Sequence, residues 1–416
     1  MKKKVFVCVM LIVMATMAWA GGDRDGGSDR TQLTIWQLNN RQPALDVLVG
    51  EYESRANIRI VPSYFDVDGI KDAKKVAAAS RTLPDMWFNW GGSLGGFYAE
   101  NNLLYDLTDY ARANNWDRIF SPGALNLATL HGQLAGYPIS YNALAVYYRR
   151  DIFNRFNLRA PTTFEEFERV CSVLRENGII PIATAGQFGW HVMRFVELLI
   201  EHYAGATLHD QMSTFMTSYN NDAVVRALTK YKEFVDRNFL PPGFVTLSPG
   251  DTSILLFSGQ AAMDIQGQWY DGNIIRDEQN MDNFGTFAFP SGGNNRLSAF
   301  VEMTQFNANL SPERLEQCIQ FKHFYFSNEN AERFSQHFNL PLPRLDAQMP
   351  RGMPNVSDIL TTANRNGTFT ITDQAFPTEV ADELFRVQDG IALNQVTPQQ
   401  GAARIQAAIE AYLRSN

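Results

Sequence analysis

The chain has 416 residues, enough for about two to three domains, and a net charge of −8. Removing Lys2, Lys3 and Lys4 would leave −11, a balance that excludes a nucleic-acid binder, which needs basic surface to replace counterions. Beyond residue 20 no stretch is long and apolar enough to cross a bilayer.

Residues 1–20 read as a cleavable export signal. Three lysines precede the charge-free apolar run 5–17, and Ala18-Trp19-Ala20 supplies small residues for cleavage before Gly21. The alternative, a membrane anchor, asks too much of so short a run. Cys8 lies too early to be the lipidated cysteine of a lipoprotein. Residues 21–30, rich in glycine and charge, read as a flexible tether. The expected location is therefore periplasmic or otherwise extracytoplasmic.

Strand and helix patterns then alternate. Leu33-Thr34-Ile35-Trp36 is β-rich, residues 44–55 are helical, 57–61 form a second strand, 70–80 an alanine-rich helix and 84–88 a third strand. This alternation predicts a parallel sheet covered by helices on both faces. Ligands of such sheets bind beyond the carboxyl ends of the strands, which places 37–41, 65–68 and 89–93 on one rim, including Gln37, Asp66 and Ser93. A second α/β unit follows. Residues 143–149 are extended, and Thr163 with Glu166 three residues later marks a capped helix start. Further helices are expected at 192–203, 221–239, 252–258, 313–326, 330–336, 378–394 and 398–414, with strands at 284–290 and 299–307.

Cys171 and Cys318 lie in apolar stretches, as free thiols or as a disulfide. No paired-cysteine spacing or HExxH helix appears, so no metal and no cofactor is expected. His191, His202 and His209 carry no ligand-like pattern.

Several phrases, taken in order between about residues 31 and 345, resemble the extracellular solute-binding proteins of ABC importers, specifically the maltose- and oligosaccharide-binding group. They are Leu33-Thr34-Ile35-Trp36; Leu83-Pro84-Asp85-Met86-Trp87 with Gly95-Gly96-Phe97; Gly136-Tyr137-Pro138 with Tyr147-Tyr148-Arg149-Arg150-Asp151; Ala160-Pro161-Thr162-Thr163-Phe164; and Phe257-Ser258-Gly259-Gln260-Ala261 leading to Gly267-Gln268-Trp269. The last seventy residues match only as a helical tail. The resemblance implies an α/β fold of two discontinuous lobes with the ligand cleft between them. One lobe would hold 31–140 and 303–345, the other 141–302 and 346–416. It also implies a sugar or oligosaccharide as ligand, the permease subunits of an ABC importer as membrane partner, and a monomeric, non-enzymatic receptor.

A sugar offers apolar C–H faces and a rim of hydroxyls, so its site needs aromatic platforms and planar polar side chains. By resemblance, Trp269 occupies the position of a tryptophan that stacks on a sugar ring. Its polar neighbours Gln266, Gln268 and Asp271 are poor company for a dry core. Asn40 and Arg41 stand where the family often has an acid and a base, and Asn142 stands where it often has an acid. Trp190, beside His191, lies in a loop that faces the cleft in such folds. Asn89 and Trp90 end the third strand before Gly91-Gly92, where missing side chains would let a ligand approach the backbone. Glu302 is a lone acid in an apolar strand, satisfied either by the cleft or by a partner on the other lobe.

Two other functions are conceivable. A glycosidase or lyase would need two carboxylates about 5–10 Å apart, for which Asp271 and Glu302 could be cast. The same fold could instead take a phosphate ester, polyamine or metal. The candidates are aromatic and amide-rich with few charges, which favours carbohydrate.

Overall fold

The computed structural model describes residues 30–415, so the export signal and nearly all of the tether lie outside the described residues. Its strands are β1 (Thr31–Leu38), β2 (Ile58–Phe65), β3 (Met86–Trp90), β4 (Thr129–Leu130), β5 (Gln133–Leu134), β6 (Tyr137–Arg149), β7 (Ile180–Ala183), β8 (Ala261–Gly267), β9 (Phe284–Phe287), β10 (Leu297–Phe306) and β11 (Thr368–Thr370). Apart from the hairpin β4–β5, they form one nine-stranded mixed sheet, ordered β2-β1-β3-β10-β6-β8-β7, with β11 on β10 and β9 on β6.

β1 runs parallel to both β2 and β3, as the alternation requires. All five residues of β3 are buried, because helices cover both faces of the sheet and remove the alternation of a half-wet strand. β7 and β8 form a second parallel pair.

The two halves meet on β6 and β10, which pair antiparallel from Tyr137 to Ala143. Beyond Leu144, β6 leaves β10 and pairs with β8 and β9. One thirteen-residue strand thus belongs to both halves. The register of β6 against β10 shifts between Glu302 and Met303, opposite Ser140 and Pro138. A prolyl residue has no N–H for the ladder, and a bulge is where sheets accommodate one.

Around the first half pack helices Gln42–Glu53, Val67–Ser80 and Pro312–Tyr325; around the second, Phe164–Glu176, Trp190–Ser213, Asp222–Asp236, Thr378–Ala392 and Pro398–Ser415. None of the helices among the described residues is long and apolar enough to cross a membrane.

The differences from the sequence expectation have local causes. The second helix starts at Val67 rather than residue 70, because Asp66 caps it by accepting from Gly69 N at 2.6 Å. Thr163 does cap its helix, accepting from Glu166 N at 3.2 Å, but the Glu166 carboxylate takes N and Oγ1 of Thr162 rather than closing on Thr163. The helix from Trp190 runs to Ser213 through Gly205, whose φ of 68° interrupts it. Helix Pro354–Asn366 and strand β11 have no counterpart in the sequence reading. Cys171 and Cys318 are both buried free thiols.

Asp271 belongs to the core of the second half, not to a ligand rim. It is fully buried in a cluster with Tyr147, Tyr270, Phe284 and Ile359. Its carboxylate accepts from Tyr147 Oη at 3.2 Å, Asn355 N at 3.0 Å, Asn355 Nδ2 at 2.9 Å and Val356 N at 3.4 Å. Helix Pro354–Asn366 has no side-chain cap of its own, so Asp271 supplies the acceptor its first N–H groups need. Burial raises the Asp271 carboxyl, and these hydrogen bonds oppose the rise. Asp271→Ala would leave these donors unpaired in the core. It is expected to cost about 3 kcal/mol of stability in a denaturant titration, whereas a residue of the ligand site would leave the unfolding midpoint nearly unchanged.

Candidate functional site

A cavity of about 330 Å³ lies where the carboxyl ends of β1 and β3 face the second half of the molecule. That volume is in the range of small-molecule sites. The first half contributes Leu38, Asn40 and Arg41 after β1, Val67 and Lys71 from the second helix, and Trp90 from the end of β3. The second half contributes Trp190 and Arg194 from one helix, Gln266 from β8, and Trp269, Asn273 and Arg276 from helix Trp269–Arg276. Phe300 and Glu302 of β10 line it too, with Asn339, Ile371, Asp373 and Gln374 and the residues Leu94, Pro249, Gly250 and Ser253.

Aromatic rings and cations alternate across this wall. The Lys71 ammonium lies 5.3 Å from the Trp90 ring and 5.7 Å from the Trp190 ring. The Arg194 guanidinium lies 4.7 Å from Trp190 and 5.4 Å from Trp269. The spacing is that of cation–π contact. Lys71 thereby touches an aromatic ring of the opposite half. Trp190 and Arg194 are four apart on one helix, which puts them on the same face.

Glu302 is held from three sides, by Arg41 Nη2, Ser140 Oγ and Asn339 Nδ2, each at 2.8 Å. Burial pushes its carboxyl up, while Arg41 and these hydrogen bonds pull it down. Arg41 is 1% exposed and lies over Phe88 and Phe326. Arg194 donates to Ile265 O and Gln266 Oε1, both at 3.1 Å. Desolvation lowers its pKa to about 10, against the pull of Asp264, Asp373 and Glu197.

Of the twelve residues singled out from sequence, Asn40, Arg41, Trp90, Trp190, Trp269 and Glu302 line the cavity. The structure places the other six elsewhere. Gln37 is fully buried, its Oε1 taken by Leu38 N. Asp66 is an exposed helix cap. Asn89 is buried under Lys74, which donates to its Oδ1 at 2.6 Å, and it donates to Gln305. Ser93 donates to Asp373 O at 3.2 Å, holding the tail rather than a ligand. Asn142 is fully buried and donates to Ser140 Oγ at 2.9 Å. Asp271 caps helix Pro354–Asn366 and is buried away from the cavity that Glu302 lines. The glycines after β3 also serve the chain itself: a β-carbon on Gly92, whose φ is +57°, would meet Gln374 O at 2.1 Å.

Lys71, Arg194, Arg276, Gln266, Asn273, Asn339, Asp373 and Gln374 were not singled out. Lys71 and Arg194 each stand one turn inside a helix that starts at the rim, a legible signal. Asp373 and Gln374 come from the far tail, which nothing local ties to the cleft.

The fold and the cavity define a two-lobed cleft protein. The chain belongs to the family of bacterial extracellular solute-binding proteins, which matches residues 48–358. An uncharacterised ABC transporter extracellular-binding protein of Pyrococcus horikoshii is 20% identical over 269 residues, 62% of this chain and 59% of that protein. The multiple sugar-binding protein of Streptococcus mutans is 20% identical over 272 residues, 63% of each. The match to these relatives thus spans less than two thirds of their length. Among solved structures, a chitin oligosaccharide binding protein superposes with a TM-score of 0.84 at 21% identity, covering 92% of this chain and 99% of that one.

The tail segment is fastened by Glu197, which accepts from Thr372 N at 2.8 Å and Thr372 Oγ1 at 2.9 Å. Burial raises the Glu197 carboxyl from its ordinary 4.5 to about 8, against these hydrogen bonds. The folded chain therefore keeps a proton here that the unfolded chain releases. This contribution to stability is complete below pH 4.5 and is lost as the pH rises through 8. Glu197→Gln cannot ionise and is expected to flatten the fall in stability between about pH 5 and 8. Denaturant titrations across that range with equal slopes for both proteins would refute the assignment.

Proposed function

We propose that the protein captures a carbohydrate outside the cytoplasm and presents it to the permease subunits of an ABC-type importer. The observation that carries this reading is the cavity wall itself. Three tryptophans supply platforms for apolar sugar faces, and Asn40, Gln266, Asn273, Asn339 and Gln374 supply paired donors and acceptors for hydroxyls. The sugar named for the solved relative, and the sugar-binding name of the streptococcal one, support it. The expected export signal at residues 1–20, cleaved before Gly21, would deliver a monomer to the right side of the membrane.

The lobes divide as 31–140 with 303–345, and 141–302 with 346–416. They are joined by β6 and β10, about which they close on the ligand. Thermal melting against a panel of mono- and oligosaccharides is expected to find members that raise the melting temperature, since a ligand of the folded state stabilises by mass action. X-ray scattering is expected to show a smaller radius of gyration with those members. A panel that shifts nothing would sink the reading.

Trp269 gives the sharpest mutational test. It is half-buried, against Phe300 and Arg194. Trp269→Ala is expected to weaken binding of the best sugar of that panel by about 1–3 kcal/mol, a loss larger than its cost in stability. Gly267 approaches the same ring so closely that a β-carbon there would lie 2.1 Å from Trp269 Cζ3. Gly267→Ala should therefore displace the tryptophan and reproduce the loss of affinity in calorimetric titration. Normal binding by both variants would remove Trp269 from the site.

A further inference from the structure

Resting on the sugar-binding reading above, we infer that the sugar carries a carboxylate, as a uronic acid or an oligosaccharide ending in one does. The charge of the wall is the first ground. A protein whose net charge is −8 places four cations, Arg41, Lys71, Arg194 and Arg276, on a cavity whose lining acids are Glu302 and Asp373. Arg41 is matched by Glu302 at 2.8 Å and Lys71 by Asp68 at 3.1 Å. The two remaining guanidiniums hydrogen-bond only to neutral oxygens, while Asp373 acts on Arg194 and Asp277 on Arg276 through space. Arg194 donates to a carbonyl and to Gln266, and Arg276 donates to Gln336 O and Asn273 Oδ1. The carboxylate behind Arg194, Asp264, is engaged with His191 at 3.0 Å and Gln266 at 3.1 Å.

The second ground does not depend on counting charge. Among the lining residues, the buried polar atoms that find no partner within the described residues are Arg41 Nε, Arg41 Nη1, Arg194 Nε, Trp190 Nε1 and Asp373 Oδ1. Four are donors and one is an acceptor. Buried polar groups are costly when unpaired, so the missing partner is rich in acceptors. A neutral sugar brings hydroxyls that donate as readily as they accept. A carboxylate brings only acceptors, in the planar geometry a guanidinium matches with two parallel hydrogen bonds.

The same wall disfavours a phosphate ester, whose roughly doubled charge would meet Glu302 and Asp373 together. The amide and aromatic groups remain for the sugar ring. The sequence reading, which found few charges at the candidate site, lacked Lys71, Arg194 and Arg276.

The test uses the full mature chain and matched probes: galactose with galacturonate, glucose with glucuronate, the corresponding disaccharides, the methyl esters of the acids, and glucose 6-phosphate. Calorimetric titration at low salt is expected to show at least one uronate binding about tenfold or more tightly than both its neutral parent and its methyl ester. Arg194→Gln and Arg276→Gln should each shrink that ratio, and melting without ligand identifies a variant that merely fails to fold. Neutral sugars binding as tightly as the uronates would overturn the inference while leaving the sugar reading intact. Tighter binding of glucose 6-phosphate than of any uronate would overturn it in favour of a phosphate. If no probe, charged or neutral, binds, the sugar reading and this inference fall together.

Discussion

The cleft depends on one pairing, that of β6 with β10. Every other strand of the large sheet is attached, directly or through one or two intervening strands, to one of these two. β10 is fully buried along its ten residues, and β6 is nearly so. Neither can be displaced without opening both halves. The bulge between Glu302 and Met303 interrupts this pairing at one level only. Glu302, Arg41, Ser140 and Asn339 converge there, so the polar network sits where the strands pass from one half to the other. A buried ion pair of this kind contributes little net stability against an apolar alternative. What it contributes is definition: Arg41 and Asn339 arrive from distant parts of the chain and are fixed against one carboxylate on the shared strand.

The ladder of rings and cations above this network ties the halves in a different way. Trp90 and Lys71 belong to one side, Trp190, Arg194 and Trp269 to the other, and the contact between Lys71 and Trp190 crosses the gap. Each such contact is worth only about 0.5–2 kcal/mol. Each contact across the gap is thus weak enough to be remade around a ligand, while the β6–β10 ladder keeps the halves in register.

Much of the architecture was legible because it is written locally. β1 to β3 and their helices follow from apolar runs separated by polar helical stretches, and the tryptophans at the ends of such elements could be assigned to a rim. Half of the twelve candidate residues line the cavity. Gln37, Asn89 and Asn142 failed for a shared physical reason. A polar residue in a strand covered on both faces looks like a ligand contact, yet here it serves its own sheet, Asn89 through Lys74 and Gln305 and Asn142 through Ser140. Asp271 stands two residues after Trp269 in sequence, but residues i and i+2 of a helix point to nearly opposite sides, and the acid faces inward. Asp373 and Gln374 were illegible because their place is set by Glu197 and by β11 lying along β10, a contact between segments some seventy residues apart.

That last contact bears on when the protein acquires a binding site at all. Residues 371–374 close one side of the cavity and lie some forty residues from the end of the chain. A polypeptide emerges from its N-terminus, so every residue up to 374 must be in place before the wall is whole. Until then Trp90, Trp190 and Trp269 border an open trough. A chain grown only as far as residue 370 therefore has a cavity with one side still open.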